Sequence, residues 1–204
     1  RTLRARVRLA AGAEPGRLIE DQDGLIHVAL RQGGQVVRLD PRSGAVVSQR
    51  AVCPAPRGMA YEAATDNLHV ACAGGELLTM KARGGDILRR LQLERDLRDV
   101  AIQGDHLLIS RFRSAQLLEV DASGALVGQV KPRAVFASGL LDPQGHTVTA
   151  SATTAWRLAA LPGGEVLMLH QQAVDTMIST KPGGYSAGIC KAQGIVSPAL
   201  TLFR

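Results

Sequence analysis

Three cysteines, five histidines and four regularly spaced arginines are the side chains of this 204-residue chain whose types and spacing could do chemistry. Cys53 precedes a short apolar run and Cys72 ends the next one. If the two runs are antiparallel neighbours, the sulfurs meet within the ~5.5–6 Å Cα spacing that a disulfide favours. A bridge implies an oxidising compartment, and the alternative is two buried free thiols. Cys190 is then left over. No Cys-x-x-Cys or Cys-x-x-Cys-His occurs, so the chain carries neither a zinc knuckle nor a covalent c-type haem attachment.

His27 and His69 recur at one position of a repeated pattern, while His106, His146 and His170 stand elsewhere. Metal binding needs ligands that converge, and no His-x-His or His-Glu-x-x-His is present. The competing reading is a set of hydrogen-bonded structural histidines. His170, which opens a long departure from the pattern, is kept as a candidate partner-facing residue. Arg17, Arg57, Arg98 and Arg157 each open a repeat. They could ring a basic mouth that attracts an anion or an acidic partner. Alternatively, each five-donor guanidinium ties its unit to a neighbouring carbonyl or to an acid such as Asp99. Gly183, Gly184, Gly188 and Gly194 lack the Lys-Ser/Thr ending of a phosphate loop. No catalytic residue, cofactor ligand or metal ligand is assigned, because a Ser-His-Asp or Cys-His set is recognised only by its geometry.

The element that must position these side chains runs from Arg17 to Gly44, RLIEDQDGLIHVALRQGGQVVRLDPRSG. Short apolar runs with turn chemistry between them predict antiparallel strands. The order of parts returns from Arg57, Arg98 and Arg157, at intervals of 40, 41 and 59 residues. A period near 40 residues with four strands per unit is the signature of an all-β propeller. Its blades are expected at about 15–54, 55–95, 96–131 and 155–204, with an insertion at about 131–154, all in a single domain. Asp40-Pro41-Arg42-Ser43-Gly44 and Asp121-Ala122-Ser123-Gly124 mark one turn; Lys81 replaces the aspartate in the second unit, so that turn must be held differently. Thr2–Leu9 alternates apolar and basic residues and predicts a further strand. The last blade lacks a fourth strand. Either Thr2–Leu9 supplies it and closes a four-bladed ring, or the chain is an arc of a larger propeller.

Composition narrows the function class. Hydrophobic residues at 46% and charged residues at 21% suit a globular protein with a sizeable core. No apolar run approaches the ~18 residues that span a membrane. The chain starts at Arg1 rather than Met, so a processed or excised piece is expected and a missing signal peptide says nothing of compartment. The net charge of +6 is dispersed, and aromatics are only 3%, too few for a stacking platform. No nucleic-acid partner is expected.

LIHVALRQGGQVVRLDPRSGAVV resembles the YVTN family of bacterial surface and periplasmic propellers, and is similar to the NHL repeats. Ile26-His27-Val28-Ala29 and Leu68-His69-Val70-Ala71 match its first strand motif, and Asp40–Gly44 its Asp-x-x-Thr-Gly turn. The resemblance implies a binding or scaffolding propeller in the bacterial periplasm or outside the cell. Its partner would be a protein, the remaining blades or an anionic small molecule. LERDLRDVAIQGDHLLISRFRSAQLLEVDASG and AWRLAALPGGEVLMLHQQ resemble propellers that precede di-haem peroxidase-like c-type cytochrome regions. That implies an electron-transfer alternative, with haem in residues outside this chain. A metal-dependent propeller hydrolase or lyase is a third class.

Overall fold

The computed structural model describes residues 6–141, 145–176 and 195–204. Among the described residues, sixteen strands form four antiparallel four-stranded sheets, set as the blades of a β-propeller. Blade one holds β1 (Pro15–Glu20), β2 (Ile26–Leu30), β3 (Gln35–Leu39) and β4 (Val46–Ala51). Blade two holds β5 (Pro56–Glu62), β6 (Asn67–Cys72), β7 (Glu76–Lys81) and β8 (Ile87–Gln92). Blade three holds β9 (Leu97–Gln103), β10 (His106–Arg111), β11 (Leu117–Val120) and β12 (Leu126–Val130). In each, sequence order is sheet order, because tight turns make every strand pair with the one before it.

The turns follow the sequence. Asp40 accepts the Arg42 N–H and the Ser43 hydroxyl, and Gly44 closes the turn at φ 75°. Asp121 accepts from Ser123 and Ala125 in the same way. Where Lys81 stands instead, its ammonium reaches the Thr65 carbonyl and Arg50 of blade one caps the Lys81 carbonyl.

Blade four differs from expectation. The residues read as an insertion form β13 (Val135–Leu141) and the first half of β14 (Thr147–Ala160). Alternation through 147–155, rich in Val, Thr and Ala, lets β14 run on as one long strand. Its first half pairs with β13, and its second half packs against β9 as the innermost strand of the blade. β15 (Val166–Val174) and β16 (Val196–Phe203) follow outward. Beyond β16, no described strand pairs with this blade.

The expected N-terminal strand is absent over Arg6–Leu9, which carry no ladder. Thr2–Ala5, Gly183, Gly184, Gly188, Cys190 and Gly194 lie outside the described residues. Leu9 and Ala13 instead pack against Val28, Leu30 and Val37 on the outer face of blade one.

The core lies between blades, since alternate side chains of each strand face opposite neighbours. Ala29 and Val36 of blade one meet Met59, Leu68, Val70 and Met80 of blade two. Ala71 and Leu77 meet Val100, Ile109 and Leu118 of blade three, and Leu108 and Leu117 meet Leu158 and Met168 of blade four. The innermost strands pack in order, β1 on β5, β5 on β9 and β9 on β14. The far face of blade four is open, with Leu169 40% and Leu200 63% exposed. Among the described residues, no helix is long and apolar enough to cross a membrane.

Candidate functional site

The four repeat arginines lie on the innermost strands, and their side chains reach sideways into neighbouring blades. Arg17 on β1 donates to the Met59 carbonyl of blade two at 3.4 Å and stands 3.8 Å from the Asp99 carboxylate of blade three. Arg157 on β14 approaches the other oxygen of Asp99 at 3.7 Å. Asp99 is fully buried and also accepts the backbone N–H groups of Val100 and Leu158, at 3.2 and 3.0 Å. Burial raises its pKa, opposed by the Arg17 and Arg157 guanidinium groups and the two amides. One carboxylate thus ties blades one, three and four together. Blade two meets the same point through Gly58, where a Cβ would lie 2.5 Å from the Asp99 Cα. Only glycine permits that approach.

Arg57 and Arg98 build a different environment. Arg57 pairs with Asp96 at 3.3 Å, in the linker before β9. Arg98 donates to the Trp156 carbonyl at 3.3 Å and has no ion pair with a described carboxylate. Its guanidinium stacks 4.9 Å from the Phe112 ring centre and 5.7 Å from that of Trp156, while Arg57 lies 5.6 Å over Phe112. The two rings meet edge to face at 5.5 Å. Burial, then the neighbouring Arg57 and Arg157 charges, press the Arg98 pKa down. A guanidinium over ring faces is favourable, and with Nε given to the Trp156 carbonyl the terminal N–H groups are the ones that can meet an anion.

His170 is not part of this cluster's exposed surface. It is buried, with Nδ1 against the Gln171 carbonyl at 3.1 Å and Nε2 against the Thr201 hydroxyl at 2.9 Å. Both ring nitrogens are satisfied, which makes the side chain a tie between β15 and β16. It lines the floor of a groove of about 330 Å³ with Trp156, Leu169 and Val196.

Sequence reasoning missed Phe112, Trp156, Asp96 and Gly58. Trp156 directly precedes the fourth repeat arginine, which was the available signal; Phe112 lies in no repeated position. Cys53 and Cys72 are disulfide-bonded, with Cα atoms 6.3 Å apart, because Pro56 pairs with Cys72 and the chain enters β5 beside the end of β6. Among the described residues, no group of three or more His, Cys, Asp or Glu side chains could hold a metal ion.

No family model matches the sequence, and no curated protein matches it. Solved structures do match in fold. Hydrazine synthase of Kuenenia stuttgartiensis superposes with a TM-score of 0.59 at 12% identity, over 98% of this chain and 66% of that one. Glutaminyl cyclase of Myxococcus xanthus gives 0.56 at 16% identity, over 82% and 68%. The Cps50 (Swd1) β-propeller domain of Myceliophteria thermophila gives 0.53 at 12% identity, over 85% and 69%. The chain therefore spans about two thirds of the length of these structures. At such identities the likeness is one of fold, and that fold is the β-propeller.

Proposed function

We propose that this chain is the binding part of a propeller protein, and that its channel mouth takes an acidic segment of a protein partner. The observation that carries this reading is Arg98, a partly desolvated guanidinium without a described ion-pair partner, packed over the Phe112 and Trp156 rings beside Arg57. Arg17 and Arg157 add positive charge behind it, only partly offset by the single buried Asp99. A mouth with low-dielectric walls focuses that field and favours carboxylates. The stacked geometry suits a planar carboxylate better than a spherical anion. We place the protein in an oxidising compartment, the bacterial periplasm or cell surface, on the strength of the Cys53–Cys72 bridge and the YVTN-like repeat.

The test is calorimetric titration with a glutamate decapeptide at low and high salt. Binding should weaken as salt rises, and Arg98→Ala should weaken it at least about tenfold, the usual loss for a charge-assisted hydrogen bond. An Arg98→Ala protein that melts like the parent and binds the peptide equally well overturns the proposal.

A further inference from the structure

Blades one and two share a polar device at their interface that blades two and three build only in part. In blade one, His27 on β2 stands opposite Arg38 on β3. His27 Nε2 meets the Asp21 carboxylate at 2.9 Å, and Arg38 donates to the same carboxylate and to Asp23, each at 2.9 Å. Arg83 of blade two then grips Asp23 from across the interface. A guanidinium fills the space, and every carboxylate in it has a donor.

In blade two, His69 on β6 occupies the place of His27, but Thr79 stands opposite in place of Arg38. Thr79 takes His69 Nδ1 at 3.1 Å. Among the described residues the other nitrogen, Nε2, has no hydrogen-bond partner, although the side chain is only 5% exposed. It faces Glu62 Oε2 at 3.8 Å, too far for a hydrogen bond. Asn67 Oδ1 is buried nearby, also without a partner. Glu62, Asn67, His69 and Thr79 are among the residues lining a cleft of about 360 Å³ between blades two and three. Asp105 and Asp121 add to its acidic wall, and Arg89, which also lines it, is engaged with the Ala122 carbonyl. Burial holds the His69 pKa down at about 4, so the ring is neutral at pH 7. Thr79 Oγ1 serves Nδ1, and Nε2 is the ring nitrogen turned toward Glu62. Glu62, Asn67 and His69 then line the cleft where blade one has a guanidinium, and Glu62 Oε2 also accepts from Thr65 and Asn67.

We infer that the cleft between blades two and three is a binding site for a guanidinium group, which enters where Arg38 sits in the preceding interface. Guanidinium carries donors only, in a planar fork that can serve a carboxylate and two further acceptors at once. A spherical ammonium has three donors but no fork. The group can come from a small guanidino compound or from an arginine side chain of a protein partner; the recognition chemistry is the same. The site is separate from the channel mouth, and the charge it selects is opposite.

Calorimetric titration with ethylguanidinium, ethylammonium and the blocked tripeptide Gly-Arg-Gly tests the assignment. Ethylguanidinium should bind saturably, at least about tenfold more tightly than ethylammonium, and should shift the His69 ring resonances. Thr79→Arg should fill the cleft from within and abolish that binding. Glu62→Gln should weaken it at least about tenfold, and serves as the second variant if Thr79→Arg does not fold. A tripeptide that binds more tightly than ethylguanidinium identifies the source as a partner's arginine; equal affinity identifies a small guanidino compound. Absence of saturable binding by either guanidinium probe, or undiminished binding by a well-folded Glu62→Gln protein, overturns the inference.

Discussion

At the residue scale, two side chains make the sharpest demands. His69 is buried and neutral, with its pKa lowered to about 4 by desolvation against an ordinary value of 6.5. In the unfolded chain the ring gains a proton below pH 6.5, but in the folded protein only near 4. The unfolded state therefore binds more protons between those values, and stability contributed by neutral His69 is lost as pH falls from 6.5 to 4. The full effect is roughly 3 kcal/mol. Urea unfolding at pH 7 and pH 4.5 should show this loss, and His69→Gln should flatten it; an unchanged slope in the variant would place the titration elsewhere. His27 adds to the same trend, since burial lowers its pKa too, while Asp21 partly opposes the shift. The second residue is Gly58. Gly58→Ala pushes a methyl into the Asp99 backbone and should cost about 1–3 kcal/mol or more, as overpacking does at a site that cannot yield. A melting temperature equal to the parent's would show that blades two and three can separate at that point.

At the element scale, β15 shows how one strand serves two surfaces. Met168 points into the packing with blade three, while its neighbour Leu169 points to the open side. Met168→Ala should cost 2–5 kcal/mol, on the order of other large-to-small core changes. Leu169→Glu should change stability by only about 0.5 kcal/mol while improving solubility, because its side chain is 40% exposed at the open side of the blade. Denaturant melts of the two variants check the difference, and equal losses would mean that the far face of blade four is covered. The edge of β16 belongs to the same surface. Its outer edge has no described partner, whereas β3, β7 and β11 are each followed outward by a fourth strand. An unpaired edge of eight residues next to an apolar face is a place where another strand can add.

At the scale of the whole molecule, stability is distributed along an ordered row of blades rather than held in one central core. Each interface is a nearest-neighbour contact, and the Asp99 centre ties non-adjacent blades. The disulfide acts on this row by fixing the linker between blades one and two to the end of β6. Reduction should lower unfolding stability by about 2–4 kcal/mol, mainly through a freer unfolded chain. Intact-mass analysis with thiol labelling provides the check: labelling of both Cys53 and Cys72 in the native, non-reduced protein would remove the bridge and the compartment argument with it.

Much of the repeat was legible from sequence because a blade is made from local signals. Period-2 runs, Asp-centred turns and the recurring arginines are read within a few residues of one another, and twelve strands of blades one to three follow from them. The nearness of Cys53 to Cys72 was legible for the same reason, since Cys53 lies just before β5 and Cys72 ends its neighbour β6, while bridge and free thiols both stayed open in the sequence. The segment at about 131–154 reads in the sequence only as an insertion; it forms β13 and the first half of β14, because tertiary pairing overrides weak local preference. His170 drew attention by its place in the chain, yet its partners are Gln171 and Thr201 within its own blade.

What the sequence determined by itself is the blade, its strand order and the placing of four arginines at the starts of repeats. What only the tertiary structure decided is where those arginines meet: Asp99 beneath Arg17 and Arg157, and the Phe112–Trp156 pair beneath Arg98. The empty place opposite His69 belongs to the same class, visible only when blade two is set beside blade one. The physical reason is range. Turn chemistry and strand alternation act between neighbours in the chain, whereas Arg17 and Arg157 reach Asp99, and Arg98 reaches Trp156, across about 60 to 80 positions that come together only after the blades pack.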